Sequence, residues 1–220
     1  MLEAVFFDVG ETLVNETRLW AAWADWLSVP HLTFFGVLGG VIERGEHHTR
    51  VFEIVRPGID LARERAARRA AGDFEGFDAR DLYPDALPCL QAIRAAGYRI
   101  GLAGNQPERT EGILEAMGLP VDVIASSAGW GVEKPAPGFF ARVAEAAGTA
   151  PERIAYVGDR LDNDVLPARA AGMAAVVLRR GPWGYLHALR AEAAQVDIQI
   201  DSVNDLPARL RAYADSRTPG

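Results

Sequence analysis

The chain has 220 residues, of which 49% are hydrophobic and 24% are charged, and its mean hydropathy is −0.01. These values are typical of a globular protein and exclude collagen-like, disordered and membrane-spanning compositions. The net charge of −7 argues against a nucleic-acid partner, because phosphate contacts need a clustered basic surface. Cys89 is the single cysteine, and no apolar run reaches the length of a membrane span. We therefore expect a cytoplasmic protein with no membrane contact and no internal disulfide.

Six short apolar runs, typical of buried β-strands, recur along the chain. They are Ala4 to Phe7, Arg99 to Ala103, Val121 to Ala125, Arg153 to Val157, Ala174 to Leu178 and Asp197 to Ile200. After the second run, stretches of helical period separate them, such as Thr110 to Met117, Pro137 to Ala147 and Asn163 to Ala171. Continuous apolar strands that alternate with helices predict an α/β fold. We expect a three-layer, Rossmann-like core with a parallel sheet covered on both faces.

The alternation stops between Thr12 and Pro84, where roughly 70 residues contain no convincing strand. Trp20, Trp23 and Trp26 recur there at helical spacing, and an Arg-rich helix follows. This pattern predicts an inserted helical domain at residues 15–81, with residues 1–14 and 82–220 forming the core. The tryptophans are consistent with an aromatic substrate pocket, but such spacing more often marks the packed seam of a small bundle.

Polar residues follow the predicted strands at the point where each strand ends. In chain order they are Asp8, Gly104 with Asn105, Lys134, Asp159 and Asp164. The ligand site of an open parallel sheet lies outside the carboxyl ends of its strands, so we expect these side chains to converge.

Clustered carboxylates stay ionised only beside a cation, and oxygen ligands favour Mg²⁺. Lys134 is the single lysine among 23 basic residues, which indicates a need for a compact ammonium. A Mg²⁺ site beside this lysine is suited to binding a phosphate group.

The same segments carry a family resemblance. Phe6 to Leu13, which reads FFDVGETL, resembles the first motif of the haloacid dehalogenase superfamily, an Asp-x-Asp-x-Thr sequence after a hydrophobic strand. Gly101 to Asn105 resembles the second motif, Lys134-Pro135 the third, and Gly158 to Asp164 the fourth. The helical insertion after the first motif resembles the small cap of the family's first subclass, which folds over the site and selects the substrate.

The resemblance implies a role for each matching residue. Asp8 would be the nucleophile that forms an aspartyl-phosphate, and Lys134 would neutralise Asp8 and the bound phosphate. Gly104, Asn105 and Lys134 would bind the phosphate. The Mg²⁺ ligands would be Asp8, the Gly10 carbonyl and Asp159, with Asp164 bound to the metal's water shell or to Lys134. The implied partner is a small phosphorylated substrate, and the implied assembly is a monomer or homodimer.

Two positions depart from the family pattern. Gly10 stands where the family's phosphatases carry a second Asp, which protonates the leaving alcohol and then activates water. Gly104 replaces the Ser or Thr of the second motif. Glu11 adjoins Gly10, but it lies at the turn position, where the chain would have to rotate for its carboxylate to reach a leaving group. We therefore expect a Mg²⁺-dependent phosphatase of reduced activity on a small phosphorylated metabolite. Two alternatives stay open: an inactive phosphate-binding member, and a 2-haloacid dehalogenase that takes a halogenated substrate.

Overall fold

The computed structural model describes residues 1–73 and 76–217, and the chain divides into two units. The first is made of Met1–Asn15 and Asp78–Gly220, and the second is Glu16–Phe77. The predicted insertion, residues 15–81, includes the whole second unit but ends four residues later. Phe74 and Glu75 of that insertion, and the last three residues of the predicted core, lie outside the described residues. That the second unit acts as a cap stays a prediction.

A six-stranded parallel sheet forms the centre of the first unit. Its strands are β1 (Ala4–Phe7), β2 (Arg99–Gly104), β3 (Val123–Ser126), β4 (Ile154–Gly158), β5 (Ala174–Leu178) and β6 (Ile198–Ile200), in the order β3-β2-β1-β4-β5-β6. Every residue of β1, β4 and β5 is buried, as expected for parallel strands covered on both faces. The predicted three-layer parallel fold is confirmed.

Helices connect the strands and supply the outer layers. In chain order they are α1 (Thr17–Trp26), α2 (His31–Glu43), α3 (Arg50–Val55), α4 (Leu61–Ala70), α5 (Ala86–Ala95), α6 (Arg109–Ala116), α7 (Ser127–Trp130), α8 (Pro137–Ala147), α9 (Leu166–Ala170), α10 (Gly181–His187) and α11 (Leu206–Ser216). A π-helix, Leu161–Val165, precedes α9. One core cluster joins β1 and β4 to α8 through Phe6, Tyr156, Phe139 and Phe140, and its aromatic rings meet edge to face. This packing fixes β1 beside β4, the two strands that precede Asp8 and Asp159.

The second unit contains α1 to α4. Trp23 is buried and meets the Phe52 ring edge-on, with the ring centroids 4.8 Å apart. The Arg68 guanidinium lies 4.0 Å from the Trp23 ring centroid, and its Nε is 2.6 Å from Asp73 Oδ2. Trp23 therefore belongs to a packed seam, which favours that interpretation of the tryptophan repeat over a substrate pocket.

Among the described residues, no single helix is long and apolar enough to cross a bilayer. Helices α1 and α2 reach that length and composition only together, and they are bent by 114° relative to each other.

Gly101 provides a test of the packing between β1 and β2. A Cβ at Gly101 would lie 2.1 Å from the ring of Phe6, its partner in the register. We expect Gly101→Ala to lower the free energy of unfolding by about 1–3 kcal/mol through overpacking, as measured by urea denaturation. Gly112→Ala, in α6 where a Cβ meets no atom within 4 Å, is the matched control. It should be neutral or stabilise by up to about 1 kcal/mol, and equal losses in both variants would contradict this account.

Candidate active site

Three carboxylates converge at the carboxyl edge of the sheet. Asp8 follows β1, Asp159 follows β4, and Asp164 lies in the π-helix after β4. One carboxylate oxygen from each residue lies within 4.8 Å of the other two, and all three residues are buried. The predicted strand ends thus bring together the acids that the sequence singled out.

Lys134 supplies a positive charge to this cluster. Its Nζ lies 2.6 Å from Asp8 Oδ1 and 2.6 Å from Asp164 Oδ1, and its side chain is 1% exposed. The ammonium also lies 5.5 Å from the centroid of the Tyr156 ring, whose hydroxyl donates to the Ala103 carbonyl. Burial alone lowers the pKa of Lys134, but the charges of Asp164 and Asp8 outweigh it and hold the pKa well above its usual range. Lys134 is therefore charged and offsets part of the negative charge of the two acids.

Asp159 and Asp164 differ in their surroundings. Burial, together with the charges of Asp164 and Asp8, raises the pKa of Asp159, and its Oδ2 has no hydrogen-bond partner among the described residues. Burial also raises the pKa of Asp164, to about 6, although the nearby Lys134 opposes the shift. A buried carboxylate oxygen without a partner is costly. This oxygen, inside a set of oxygen donors with a single ammonium, fits a Mg²⁺ ion.

The end of β2 places two predicted phosphate-binding residues next to these acids. A Cβ at Gly104 would lie 2.7 Å from Asp8 Oδ1, so the Asp8 side chain takes the space that a Ser or Thr would need. The Asn105 amide pairs with the main chain of Lys134: its Nδ2 donates to the Lys134 carbonyl at 2.9 Å, and its Oδ1 accepts the Lys134 N–H at 2.8 Å. Asn105 thereby fixes the Lys134 backbone, and phosphate binding by either residue stays a prediction.

Comparison with known proteins decides the family. Residues 2–172 match the model of the haloacid dehalogenase-like hydrolases. The chain belongs to this family. It is 31% identical to a glyceraldehyde 3-phosphate phosphatase of Methanopyrus kandleri, over 97% of this chain and 99% of the relative. It is 32% identical to a phosphoserine phosphatase of Thermus thermophilus, over 81% of this chain and 70% of the relative.

A solved structure agrees with the fold of this hydrolase. The crystal structure of a HAD phosphatase from Thermococcus onnurineus has a TM-score of 0.61 and 23% identity, covering 95% of this chain and 98% of the other. At that level of identity the likeness establishes the fold alone. Because the family is one of hydrolases, the converging acids and Lys134 are candidates for its catalytic site.

A second set of residues surrounds the turn after β1 in this hydrolase. Tyr83 donates its hydroxyl to Glu11 Oε2 at 2.6 Å, and the Arg180 guanidinium lies 4.1 Å from the Tyr83 ring centroid. Arg180 also donates to the Thr12 carbonyl at 2.8 Å and forms an ion pair with Asp85. The sequence interpretation missed Tyr83 and Arg180, although Arg180 lies just past the end of β5, where the strand-end rule could have found it.

His187, in α10, was also missed by the sequence interpretation. It is 1% exposed, and its Nδ1 accepts the Leu161 N–H at 3.1 Å, at the start of the π-helix that carries Asp164. Burial lowers the pKa of His187 to about 4, although Asp162 opposes the shift. The ring is therefore neutral near pH 7 and can accept this hydrogen bond. No spacing in the sequence links position 187 to this segment.

The lowered pKa of His187 predicts a pH dependence of stability. An unfolded histidine titrates near pH 6.5, so between about pH 6.5 and 4 the unfolded chain binds a proton that folded His187 does not. The stabilising contribution is complete above about pH 6.5 and is lost as the pH falls toward 4. We expect His187→Gln, whose amide oxygen can accept the Leu161 N–H, to lose less stability over this window in urea titrations. Identical pH profiles for the two proteins would contradict this assignment, because other titrating groups are common to both.

Proposed function

We propose that this chain is a Mg²⁺-dependent phosphatase that acts on a small phosphorylated metabolite through an aspartyl-phosphate at Asp8. The observation that carries the proposal is the buried ammonium of Lys134, 2.6 Å from both Asp8 and Asp164, beside the unpartnered oxygen of Asp159. Two relatives that match most of the chain are named for the hydrolysis of small phosphate esters, which supports this substrate class.

Asp8 carries out the first step. An oxygen of its carboxylate attacks the phosphorus, and a new P–O bond forms to Asp8. The P–O bond to the substrate breaks with its electrons, and the alkoxide that leaves takes a proton from water. Lys134 and the main-chain end of β2 at Gly104 and Asn105 hold the phosphoryl group against Asp8. Because Asn105 fixes the Lys134 backbone through two hydrogen bonds, the ammonium is held in position before substrate arrives.

The second step regenerates the enzyme. A water oxygen attacks the phosphorus of the aspartyl-phosphate, and the P–O bond to Asp8 breaks with its electrons going to the carboxylate. Inorganic phosphate leaves as dihydrogen phosphate, with the oxygen and both protons of the water. Lys134 remains beside Asp8 as its carboxylate is released, so the buried negative charge keeps a partner throughout.

The residues that would hold Mg²⁺ are Asp8, the Gly10 carbonyl and Asp159. Asp164 would bind the ion's water shell, or act only through Lys134 as its 2.6 Å contact favours. When bound, the ion supplies positive charge that offsets the charge on the phosphoryl oxygens.

Gly10 limits the proposed reaction. No side chain at position 10 can protonate the leaving alcohol, and a positioned acid typically contributes about 10²–10⁴-fold in rate. We therefore propose a slow enzyme on alkyl phosphates, and a faster one on esters whose alcohol leaves readily as an anion. The same absence favours one alternative, a 2-haloacid dehalogenase, because a halide leaves without a proton.

The nucleophile assignment can be tested directly. We expect Asp8→Asn to reduce turnover of p-nitrophenyl phosphate and of a panel of small phosphate esters by at least about 10³-fold, because the amide keeps the shape but not the nucleophilicity. Asp215→Asn, an exposed position in α11, should behave as wild type. The assays are run with and without Mg²⁺, and beside 2-chloropropionate. Turnover of 2-chloropropionate alone would replace the phosphatase by the dehalogenase, and phosphate binding without turnover would indicate an inactive member.

The missing proton donor gives a second test. We expect Gly10→Asp to raise turnover of an alkyl phosphate by at least about tenfold, and of p-nitrophenyl phosphate by less, since p-nitrophenolate is stable without a proton. The ratio of the two kcat values, measured in the same preparation, removes differences in active fraction. An equal gain on both substrates would contradict a leaving-group role for position 10.

A further inference from the structure

The segment that carries Asp159 and Asp164 continues into an uncommon helix. Leu161–Val165 is a π-helix, in which the Val165 N–H donates to the Arg160 carbonyl at 3.1 Å. Single π-turns are rare, and they occur frequently at functional sites. The first N–H groups of a helix have no partner within it, so they need one from outside. The contacts that hold this π-helix therefore also hold Asp164, its fourth residue.

His187 supplies such an outside partner. Its Nδ1 accepts the Leu161 N–H at 3.1 Å, and both residues are buried. Because Nδ1 accepts, the proton of the neutral ring lies on Nε2. The Leu161 side chain packs in an apolar cluster with Ala175 and Val177 of β5. Leu161 is thus held both by its backbone and by its side chain, at the first position of the π-helix.

Helix α10, which ends at His187, makes a second contact with the same segment. Trp183 lies four residues before His187 and therefore on the same face of the helix. The Arg160 guanidinium lies 5.3 Å from the centroid of the Trp183 ring. A Cβ at Gly184 would lie 2.6 Å from the Leu178 carbonyl oxygen, so α10 packs directly on the end of β5. Helix α10 is thus fixed to the sheet, and it contacts two consecutive residues of the segment.

These contacts fall between the two acids of the segment. Arg160 follows Asp159 directly, and its N–H donates to Asp164 Oδ2 at 3.1 Å. The other oxygen of Asp164 lies 2.6 Å from Lys134 Nζ. A shift of Arg160 and Leu161 would therefore move both carboxylates relative to Lys134.

We infer that His187 is a positioning residue of the candidate active site: by accepting the first N–H of the π-helix, it holds Asp159 and Asp164 in the geometry of the cation site. The inference rests on the Mg²⁺ site of the proposed function. His187 acts through the Leu161 backbone and transfers no group. Because the acceptor is a single ring nitrogen, the role belongs to that atom and not to the volume of the ring.

A matched pair of substitutions isolates this nitrogen. In His187→Asn the amide Oδ1 stands two bonds from Cβ, as Nδ1 does in the wild type, and can accept the Leu161 N–H. His187→Leu has nearly the same shape as His187→Asn but no acceptor, so a buried N–H loses its partner. Calorimetric titration of the whole protein with MgCl₂, without substrate, measures the Kd. We expect the Kd to rise by at least about tenfold in His187→Leu, and by less than about twofold in His187→Asn.

Turnover of p-nitrophenyl phosphate at saturating Mg²⁺ gives a second measurement. The kcat per folded molecule should fall in His187→Leu and be restored in His187→Asn, because misplaced carboxylates slow the reaction even when the ion is bound. Leu210→Ala, which removes a buried side chain from α11, is the control for lost stability. It should lower the Tm and leave the Kd and the kcat unchanged.

Each remaining result decides the inference. A wild-type Kd in His187→Leu, or equal losses in the Leu and Asn variants, would overturn it and leave the proposed function intact. His187→Phe keeps a ring without the acceptor, and it should raise the Kd as His187→Leu does. If neither variant without an acceptor folds, the nitrogen serves the fold alone and the inference is overturned. A wild-type chain that binds no Mg²⁺ would overturn the metal dependence of the proposed function, and this inference with it.

Discussion

The buried ion triad of Lys134, Asp8 and Asp164 is the interaction on which the rest of this structure depends. Each partner reaches the interior from a different segment: the end of β1, the loop before α8, and the π-helix after β4. Removing water from one such charge is costly, and taking away one partner of a buried pair typically costs about 3–5 kcal/mol. The three segments can therefore be buried only together. The same contacts keep the strand ends that precede these residues next to one another.

Glycines at the ends of two strands make room for these acids. A Cβ at Gly104 would meet Asp8 Oδ1 at 2.7 Å, and a Cβ at Gly158 would meet Asp164 Oδ2 at 2.4 Å. Asp164 accordingly folds back against the end of β4, where it also accepts the Arg160 N–H. A glycine at each of these positions lets a carboxylate approach the main chain closely. The replacement of Ser or Thr by Gly104 thus has a structural consequence as well as a chemical one, since Asp8 takes up the vacated volume.

Strand ends could be predicted from the sequence, and contacts between them could not. Parallel strands are buried on both faces, so β1, β4 and β5 read as continuous apolar runs, and the polar residues that follow them were found by position alone. The third strand begins at Val123 rather than at Val121. The Asp122 side chain accepts the Ile100 N–H, so the hydrogen-bond ladder between β2 and β3 does not extend before Val123. Tyr83 and His187 act through partners 72 and 26 residues away, and no periodicity connects such pairs.

In the proposed function, Gly10 separates two roles that a phosphatase site normally combines, namely charge stabilisation and proton transfer. Charge stabilisation is kept, since Asp8, Lys134, Asp159 and Asp164 are all present and buried together. Proton transfer at position 10 is lost, because a glycine offers only its backbone there. The charges act equally on any phosphoryl group, whereas the missing proton matters in proportion to the basicity of the leaving alcohol. Glu11 follows Gly10 in the chain, but its carboxylate accepts the Tyr83 hydroxyl and rests on the Gly181 backbone. Selectivity in this site is therefore expected to follow the leaving group more strongly than the phosphate.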